Sequence, residues 1–169
     1  MSIKIITTGG TFDKVYFDAN SENHIGDPMV TALLEEANAS IDYELESILR
    51  KDSLEIDDGD RQKIRDSVEA TVADRIMIIH GTDSMVKTAK ALYDIPGKTI
   101  VIFGAMQPAR MRYSDAMFNL GVATAAVQLL PAGVYLAMNG RILDPRTTQK
   151  NLKRGKFETV ETANQPGPE

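Results

Sequence analysis

Five short apolar runs, each followed by a turn, constrain the fold of this chain more than any other feature. The runs IMII and TIVIF are almost continuously apolar, which is typical of parallel strands that are covered on both faces. We predict strands over 3–7, 43–49, 75–79, 99–103 and 133–138.

Segments with helical spacing alternate with these runs. The apolar spacing and the capping residues predict helices over 29–39, 57–72, 85–93 and 114–130. A strand–helix alternation of this kind predicts an α/β fold, with a doubly wound, mostly parallel sheet of the flavodoxin-like or Rossmann-like type. We assign 1–157 to a single domain, with 13–27 as a mobile lid and 158–169 as a frayed tail.

Composition excludes several classes of function. The chain contains no cysteine and only two histidines, His24 and His80, so thiol catalysis and a cysteine- or histidine-rich metal site are not expected. A net charge of −5 argues against nucleic acid as a partner, and no apolar run reaches the roughly 18–20 residues of a membrane span. The first residues do not resemble a signal peptide. We therefore expect a cytoplasmic protein without a cofactor or metal.

Two of the predicted strands end in similar loops, TTGGTFD and HGTDS. In open parallel sheets, ligands bind at the carboxyl ends of the strands, so both loops are candidates for a site. Each loop on its own has three interpretations: a phosphate-binding turn, a pair of catalytic threonines, or ordinary helix caps. The G-x-G-x-x-G and G-x-x-x-x-G-K-[ST] spacings are both absent, which weakens the first interpretation. We interpret His80 as a strand-end residue with a hydrogen-bonded ring.

Taken together, the loops permit nucleophilic hydrolysis. Thr11 and Thr82 follow two strands of one sheet, Asp83 adjoins Thr82, and Lys150 lies beyond the fifth strand. A hydroxyl nucleophile needs a group that removes its proton, and a desolvated lysine can do this. The backbone N–H groups of the glycine turns could stabilise the oxyanion.

Four motifs in order resemble the bacterial-type L-asparaginase/glutaminase family, specifically its N-terminal domain. TTGGTFD and IMIIHGTDSM resemble its two active-site signatures, with Ser84 where threonine is usual. GAMQPARMRYSDAMFNL and NGRILDPRTTQK resemble two further elements, with Gln107 and Ala116 as departures in the first. Since members of this family are usually about twice as long, the chain resembles its short, single-domain asparaginases.

The resemblance implies a role for each matching residue. Thr11 is the expected nucleophile, Lys150 would draw its proton through Thr82, Asp83 would also bind the substrate's α-ammonium, and Tyr16 would assist the nucleophile. The implied catalytic residues are Thr11, Tyr16, Thr82, Asp83 and Lys150. The implied substrate-binding residues are Gly10, Ser53, Gly81, Thr82, Asp83 and Ala105.

Simpler interpretations remain for several of these residues. Tyr16 could pack as part of the lid, Ser53 could be a turn residue, and Lys150 precedes a basic run that would ordinarily be solvated. Arg146 is better explained as an ion-pair partner. Leu54 stands where the family usually has glutamine, which weakens the substrate-binding assignment.

The resemblance predicts an amidohydrolase that converts L-asparagine to L-aspartate and ammonia through a threonine acyl-enzyme. Two alternatives are a non-catalytic amino-acid-binding module and a subunit of a larger amidotransferase. In the family, a C-terminal domain supplies an acidic residue to a neighbouring subunit's site, and Glu22 is a guess for its replacement. We expect a homo-oligomer, a dimer or a tetramer, that acts on a small-molecule substrate, with no nucleic-acid or membrane partner.

Overall fold

The computed structural model describes residues 2–17 and 22–160, with the side chains of all these residues except 16, 17, 22 and 23. Within these residues there are ten strands: β1 (Ser2–Gly9), β2 (Lys14–Phe17), β3 (Glu22–Ile25), β4 (Asp42–Lys51), β5 (Arg75–Ile79), β6 (Thr99–Phe103), β7 (Gly133–Met138), β8 (Arg141–Leu143), β9 (Thr148–Asn151) and β10 (Lys156–Thr159). The helices are α1 (Val30–Glu36), α2 (Asp58–Ala70), α3 (Met85–Ala91) and α4 (Ala116–Leu129). None of the helices in this part of the chain has the length and apolarity needed to cross a bilayer.

Six strands form the central sheet in the order β4-β1-β5-β6-β7-β8. The first five are parallel and only β8 runs antiparallel, against β7. The parallel strands therefore follow the flavodoxin-like order, and the expected α/β fold is confirmed. Two small antiparallel pairs, β2 with β3 and β9 with β10, lie outside this sheet.

Helices cover both faces of the sheet, which explains the continuous apolar runs. One face packs Ile76 and Ile78 against α2 and α3, and the other packs Met77 and Ile79 against α1 and α4. Successive side chains of a strand point to opposite faces, so a strand covered on both sides must be apolar at every position. The bounds predicted for β5, β6 and β7 agree with the structure.

The start of α2 shows how local sequence sets an element's boundary. Asp57 accepts a hydrogen bond from the backbone N–H of Asp60 at 2.8 Å, and Asp60 accepts one from the backbone N–H of Asp57 at 3.3 Å. This reciprocal capping box satisfies two N–H groups that the first helical turn leaves free. This cap stands at the start of the helix that the sequence predicted over 57–72.

The region after Asp144 is more ordered than the sequence pattern indicated. Residues 148–159 form the β9–β10 hairpin, whose final strand enters the segment predicted to be a frayed tail. Most of its side chains are exposed, so the apolar pattern that reveals a buried strand is absent, and only Thr148 and Phe157 are buried. Residues 161–169 of that predicted tail lie outside the described residues.

Candidate active site

The loops after β1 and β5 meet where the strand order reverses. The chain leaves β1 towards β4 on one side of the sheet, whereas β5 and the later strands lie on the other side. The crossovers diverge at this point and leave a crevice at the carboxyl ends of the strands. The TGGT and HGTDS segments therefore lie at the position where the fold itself creates a binding site.

Three backbone segments approach each other closely in this crevice. A Cβ atom on Gly10 would lie 2.6 Å from the Cα of Gly81, and one on Gly81 would lie 2.6 Å from the Cβ of Ser53. Gly10 also has a φ of 78°, a conformation that side chains disfavour. These two glycines bring the chain segments that carry Thr11, Thr82 and Ser53 against one another, which a larger residue would prevent.

Thr11 directly follows this contact and begins a short 3₁₀ turn, Thr11–Asp13. The turn is closed by a hydrogen bond from the N–H of Asp13 to the carbonyl of Gly10, at 3.3 Å. It is also anchored by the N–H of Ala109, which donates to the carbonyl of Phe12 at 3.0 Å. Thr11 remains half-buried beside the crevice, while Phe12 packs into the core.

Lys150 reaches the site from a distant part of the chain. Its Nζ lies 2.7 Å from the Oγ1 of Thr82 and forms an ion pair with Asp83. Lys150 is on β9, where it pairs across the hairpin with the buried Phe157. Its side chain is only 11% exposed, so it is not part of a solvated basic face. Thr82, Asp83 and Lys150, three of the four residues grouped from the sequence, are therefore in contact.

Ser53 supports this cluster from the third loop. It is buried at the start of a 3₁₀ turn, and its Oγ accepts a hydrogen bond from the backbone N–H of Asp83 at 3.2 Å. The Ser84 hydroxyl donates in turn to the Ser53 carbonyl. Ser53 is thus a turn residue and a neighbour of Asp83 at once, and its contact with a substrate stays a prediction.

His80 is structural, as the sequence indicated. The ring is completely buried, with Nδ1 2.8 Å from the Gly81 carbonyl and Nε2 2.8 Å from the Thr88 hydroxyl. A carbonyl only accepts, so Nδ1 donates to it and Nε2 accepts from Thr88. Burial lowers the pKa of His80 to about 4, which keeps the ring neutral. Both ring nitrogens are occupied, which leaves His80 no free position for a catalytic base.

A cavity of about 610 Å³ opens beside Asp83. It is lined by Lys14, His24, Ile25, Arg50, Asp52, Leu54, Glu55 and Asp83. Sequence reasoning missed Lys14 and Asp52, which face each other here with Lys14 Nζ 3.0 Å from Asp52 Oδ2. Their position was the only indication in the sequence, since Lys14 directly follows TTGGTFD and Asp52 directly precedes Ser53. Another cavity, of about 420 Å³, is also lined by Asp83, together with Lys150.

Asp13 anchors both ends of 13–27, the segment predicted as a lid. The carbonyl of Asp13 accepts from the N–H of Gly26 at 2.8 Å, and its carboxylate accepts from the N–H of Met29 at 2.9 Å. Between these anchors, the described residues form the antiparallel β2–β3 pair. Burial raises the pKa of Asp13 to about 6, against the opposing effects of the Met29 hydrogen bond and of Arg110 and Arg50.

Two residues named from the sequence cannot be placed in the site. The backbone of Tyr16 pairs with Asn23 in the β2–β3 hairpin, and Glu22 begins β3. The side chains of Tyr16 and Glu22 lie outside the described part of the structure. Their suggested roles stay predictions.

The loop after β6 is held by residues of the GAMQPARMRYSDAMFNL motif. The carboxylate of Asp115 accepts from the N–H groups of Met106 and Gln107 at 3.0 Å, and the Asn119 side chain bridges Gly104 and Asn139. Ala105 is 1% exposed and packs in the core cluster on the α1–α4 face of the sheet. Its predicted contact with a substrate is untested.

Thr82, Asp83 and Lys150 form a cluster at the switch point of a flavodoxin-like sheet, and Thr11 lies on the adjoining glycine turn. These features define the class of the protein: an α/β protein whose site carries hydroxyl groups. Residues 2–167 match the family model described as Asparaginase, N-terminal. The chain belongs to this family, which confirms the resemblance seen in its motifs.

Individual relatives agree with this placement. The chain is 30% identical over 161 residues to the probable periplasmic L-asparaginase of Haemophilus influenzae and 31% identical over 166 residues to L-asparaginase 2 of Escherichia coli. Each match covers 88% of this chain and 46% of the relative. The chain therefore spans about half the length of these relatives.

Solved structures are similar in the same way. L-asparaginase I from Vibrio cholerae superposes with a TM-score of 0.82 at 25% identity, covering 98% of this chain and 52% of the other. The probable cytoplasmic L-asparaginase from Campylobacter jejuni superposes with a TM-score of 0.77 at 28% identity, covering 95% and 53%. The fold described above is thus shared with known asparaginase structures.

Proposed function

We propose that this chain hydrolyses L-asparagine to L-aspartate and ammonia, with Thr11 as the nucleophile. The observation that carries the proposal is the contact of Lys150 with both Thr82 and Asp83, across 68 and 67 residues of sequence. An amino group held against a hydroxyl at 2.7 Å can exchange a proton with it. A module that only binds an amino acid has no need for this pairing.

The proposed reaction has two steps. The Oγ1 of Thr11 attacks the carboxamide carbon, and its proton passes through Thr82 to Lys150, which acts in its amine form. The C–N bond then breaks, and this proton is delivered to the leaving nitrogen, which departs as ammonia. Water then attacks the resulting β-aspartyl ester, which releases L-aspartate and restores the Thr11 hydroxyl. Backbone N–H groups of the glycine turns would stabilise the oxyanion in both steps.

Asp83 would contribute by binding the substrate's α-ammonium group. Its side chain is 32% exposed and lines the cavity of about 610 Å³, so it can reach a ligand there while it is paired with Lys150. Charge-assisted hydrogen bonds of this kind are among the stronger polar contacts in proteins. The cavity is large enough for a small amino acid.

The decisive experiment measures ammonia release from L-asparagine, L-glutamine and D-asparagine by the wild type and by Thr11→Ala. We expect release from L-asparagine by the wild type and a loss of at least about a thousandfold in Thr11→Ala. Binding of L-aspartate without any turnover would instead favour the amino-acid-binding module. Full activity in Thr11→Ala would refute the nucleophile assignment.

Assembly and compartment are part of the same proposal. We expect a homo-oligomer, and the exposed Phe118 and Leu129 on α4, a helix without a charged residue, support self-association. Size-exclusion chromatography with light scattering tests it, and a monomer at all concentrations would contradict it. A cytoplasmic location is supported by one structural relative described as cytoplasmic, although one sequence relative is described as periplasmic. Cell fractionation tests that part.

A further inference from the structure

The cavity beside Asp83 contains charged groups of both signs. Acidic side chains come from Asp52, Glu55 and Asp83, and basic ones from Lys14 and Arg50. A free amino acid also carries both charges on its α-carbon, so a site that binds one needs an anion for the ammonium and a cation for the carboxylate. Asp83 is the anion of the proposed function, and the cation has not yet been identified.

Two cations compete for this role, and their surroundings differ. The Lys14 side chain is 23% exposed, and its ion-pair partner Asp52 directly precedes the buried Ser53. The Arg50 side chain is 55% exposed and pairs at 2.9 Å with Asp27, which is 82% exposed. Arg50 therefore lies at the solvent-exposed rim, whereas Lys14 is the better shielded cation and is held beside the Ser53 turn.

Lys14 retains hydrogen-bonding capacity in this position. An ammonium group has three N–H donors, and the contact with Asp52 uses one of them. Leu54, the next residue after Ser53, is 76% exposed and offers only an apolar side chain to the cavity. The carboxylate of a ligand thus finds its charged partner in Lys14, from β2, and not in the side chain that follows Ser53.

We propose that Lys14, which lines the same cavity as Asp83, binds the α-carboxylate of the substrate and thereby restricts the site to free amino acids. The inference rests on the proposed function for the identity of the substrate, L-asparagine. It assigns to Lys14 a direct contact with the ligand, with Asp52 as the residue that positions the ammonium group. Amides whose α-carboxylate is blocked, such as asparagine within a peptide, would lose this contact.

The test compares two substrates in three variants. Ammonia release is measured for L-asparagine and for L-asparaginamide, in which a carboxamide replaces the α-carboxylate. For Lys14→Met we expect the KM for L-asparagine to rise about 10- to 100-fold, the range of a lost charged hydrogen bond, with a small change in kcat. L-asparaginamide should be turned over with the same kcat/KM by Lys14→Met and the wild type. Lys14→Arg, which keeps the charge, should recover most of the affinity for L-asparagine.

The matched control is Lys63→Met, since Lys63 also pairs with an aspartate, Asp60 at 3.4 Å, but lies on α2 away from the cavity. It should leave both substrates unaffected. An unchanged KM for L-asparagine in Lys14→Met would overturn the proposal. An equal loss on both substrates would do so too, because it indicates a structural role. Lys14→Gln replaces Lys14→Met if thermal unfolding shows that the latter does not fold.

Calorimetric titration with L-aspartate separates this inference from the proposed function. The wild type should bind L-aspartate, and Lys14→Met should bind it about 10- to 100-fold more weakly. A wild type that binds L-aspartate but releases no ammonia would refute the proposed hydrolysis and still decide the role of Lys14. Equal binding by wild type and Lys14→Met would refute the role of Lys14 even in an active enzyme.

Discussion

The two sides of the site are held in place by different forces. On the sheet side, Gly10, Gly81 and Ser53 touch through backbone and Cβ atoms, and His80 beneath them is completely buried. The other side, here called the hairpin side, consists of Lys150 on the β9–β10 hairpin and Lys14 on the β2–β3 hairpin. Their long side chains contact the site through ion pairs with Asp83 and Asp52. Close packing fixes the first side, and charge fixes the second.

This difference indicates how the labour is divided. Packed backbone tolerates little displacement, so the sheet side can hold Thr11 and Thr82 at a constant separation. Partly exposed ion pairs contribute little to stability, so the hairpin side can change its contacts when a ligand enters. We therefore expect substitutions of the closely packed Gly10 and Gly81 on the sheet side to act mainly on folding and those on the hairpin side to act mainly on activity.

The largest effect is expected for Lys150→Met on the hairpin side. Removing a group that accepts a proton should lower kcat for ammonia release by about 10²- to 10⁴-fold, or roughly 3–5 kcal/mol of barrier. The free energy of unfolding should change by less than about 1 kcal/mol, since Asp83, the charged partner that loses its ion pair, is 32% exposed and stays solvated. Steady-state kinetics and urea titration measure the two quantities.

Lys153→Met is the matched control, because Lys153 is an exposed lysine in the turn of the same hairpin. It should leave both quantities unchanged. If Lys150→Met lost several kcal/mol of unfolding free energy, the contrast between the two sides would not hold.

Gly81→Ala tests the sheet side. The added methyl group would lie 2.6 Å from the Ser53 Cβ and 2.7 Å from its Oγ, so one of the loops must move. Overpacking of this kind costs about 1–3 kcal/mol, and we expect the upper part of that range in the free energy of unfolding. Gly121→Ala on α4 is the control, since an added Cβ there meets no atom within 4 Å. That variant should gain about 0.5–1 kcal/mol from helix propensity. Equal stability of the two variants would show that the loops are not packed tightly.

Much of the sheet side could be predicted from the sequence. Continuous apolar runs gave the three strands at 75–79, 99–103 and 133–138 with their observed bounds, and the capping residue Asp57 marked the start of α2. Burial on both faces leaves a strong signal because it restricts every position of a strand. The carboxyl-end rule then pointed to the loops that carry Thr11 and Thr82.

The hairpin side could be predicted only in part. Lys150 was found through a motif, because nothing in the exposed β9–β10 residues indicates that its side chain turns inward. Lys14 was missed for the same reason, since a half-exposed lysine at a strand start is ordinary in composition. Contacts that depend on charge and on the path of a distant hairpin leave no local periodicity, so only the folded structure brings them together.

Asp13 ends the 3₁₀ turn that begins at Thr11 and directly precedes Lys14, so it joins the two sides of the site. The pH dependence of unfolding in Asp13→Asn tests this junction. The folded pKa of Asp13 is about 6, against an ordinary value of 3.8, so the folded state binds this proton more tightly than the unfolded state. Asp13 therefore destabilises the fold increasingly as the pH rises from about 4 to about 6, by up to about 3 kcal/mol. His80 acts in the opposite direction, because its pKa falls to about 4 and its contribution to stability is lost as the pH falls from 6.5.

The two groups therefore offset each other between pH 4 and pH 6 in the wild type. In Asp13→Asn, whose side-chain oxygen can still accept from the Met29 N–H, the Asp13 effect is removed and the His80 effect is kept. As the pH rises from 4 to 7, we expect the free energy of unfolding of the variant to increase by about 2–3 kcal/mol relative to that of the wild type. Urea titration at both pH values measures this difference. A difference that does not depend on pH would mean that Asp13 is not buried as described.

The smallest effect is expected for Arg146→Met, four residues before Lys150 in the same motif. Arg146 pairs with Asp144 at 2.7 Å and stacks on Tyr93 at 4.8 Å, and its side chain is 64% exposed. Exposed ion pairs often contribute nothing measurable, so neither the thermal midpoint nor the rate of ammonia release should change beyond experimental error. A loss of activity would place Arg146 within reach of the site and extend the charged side of the comparison beyond the hairpin. Membership of a motif therefore does not itself give a residue a chemical role, since Arg146 and Lys150 share one motif and only Lys150 turns towards Thr82.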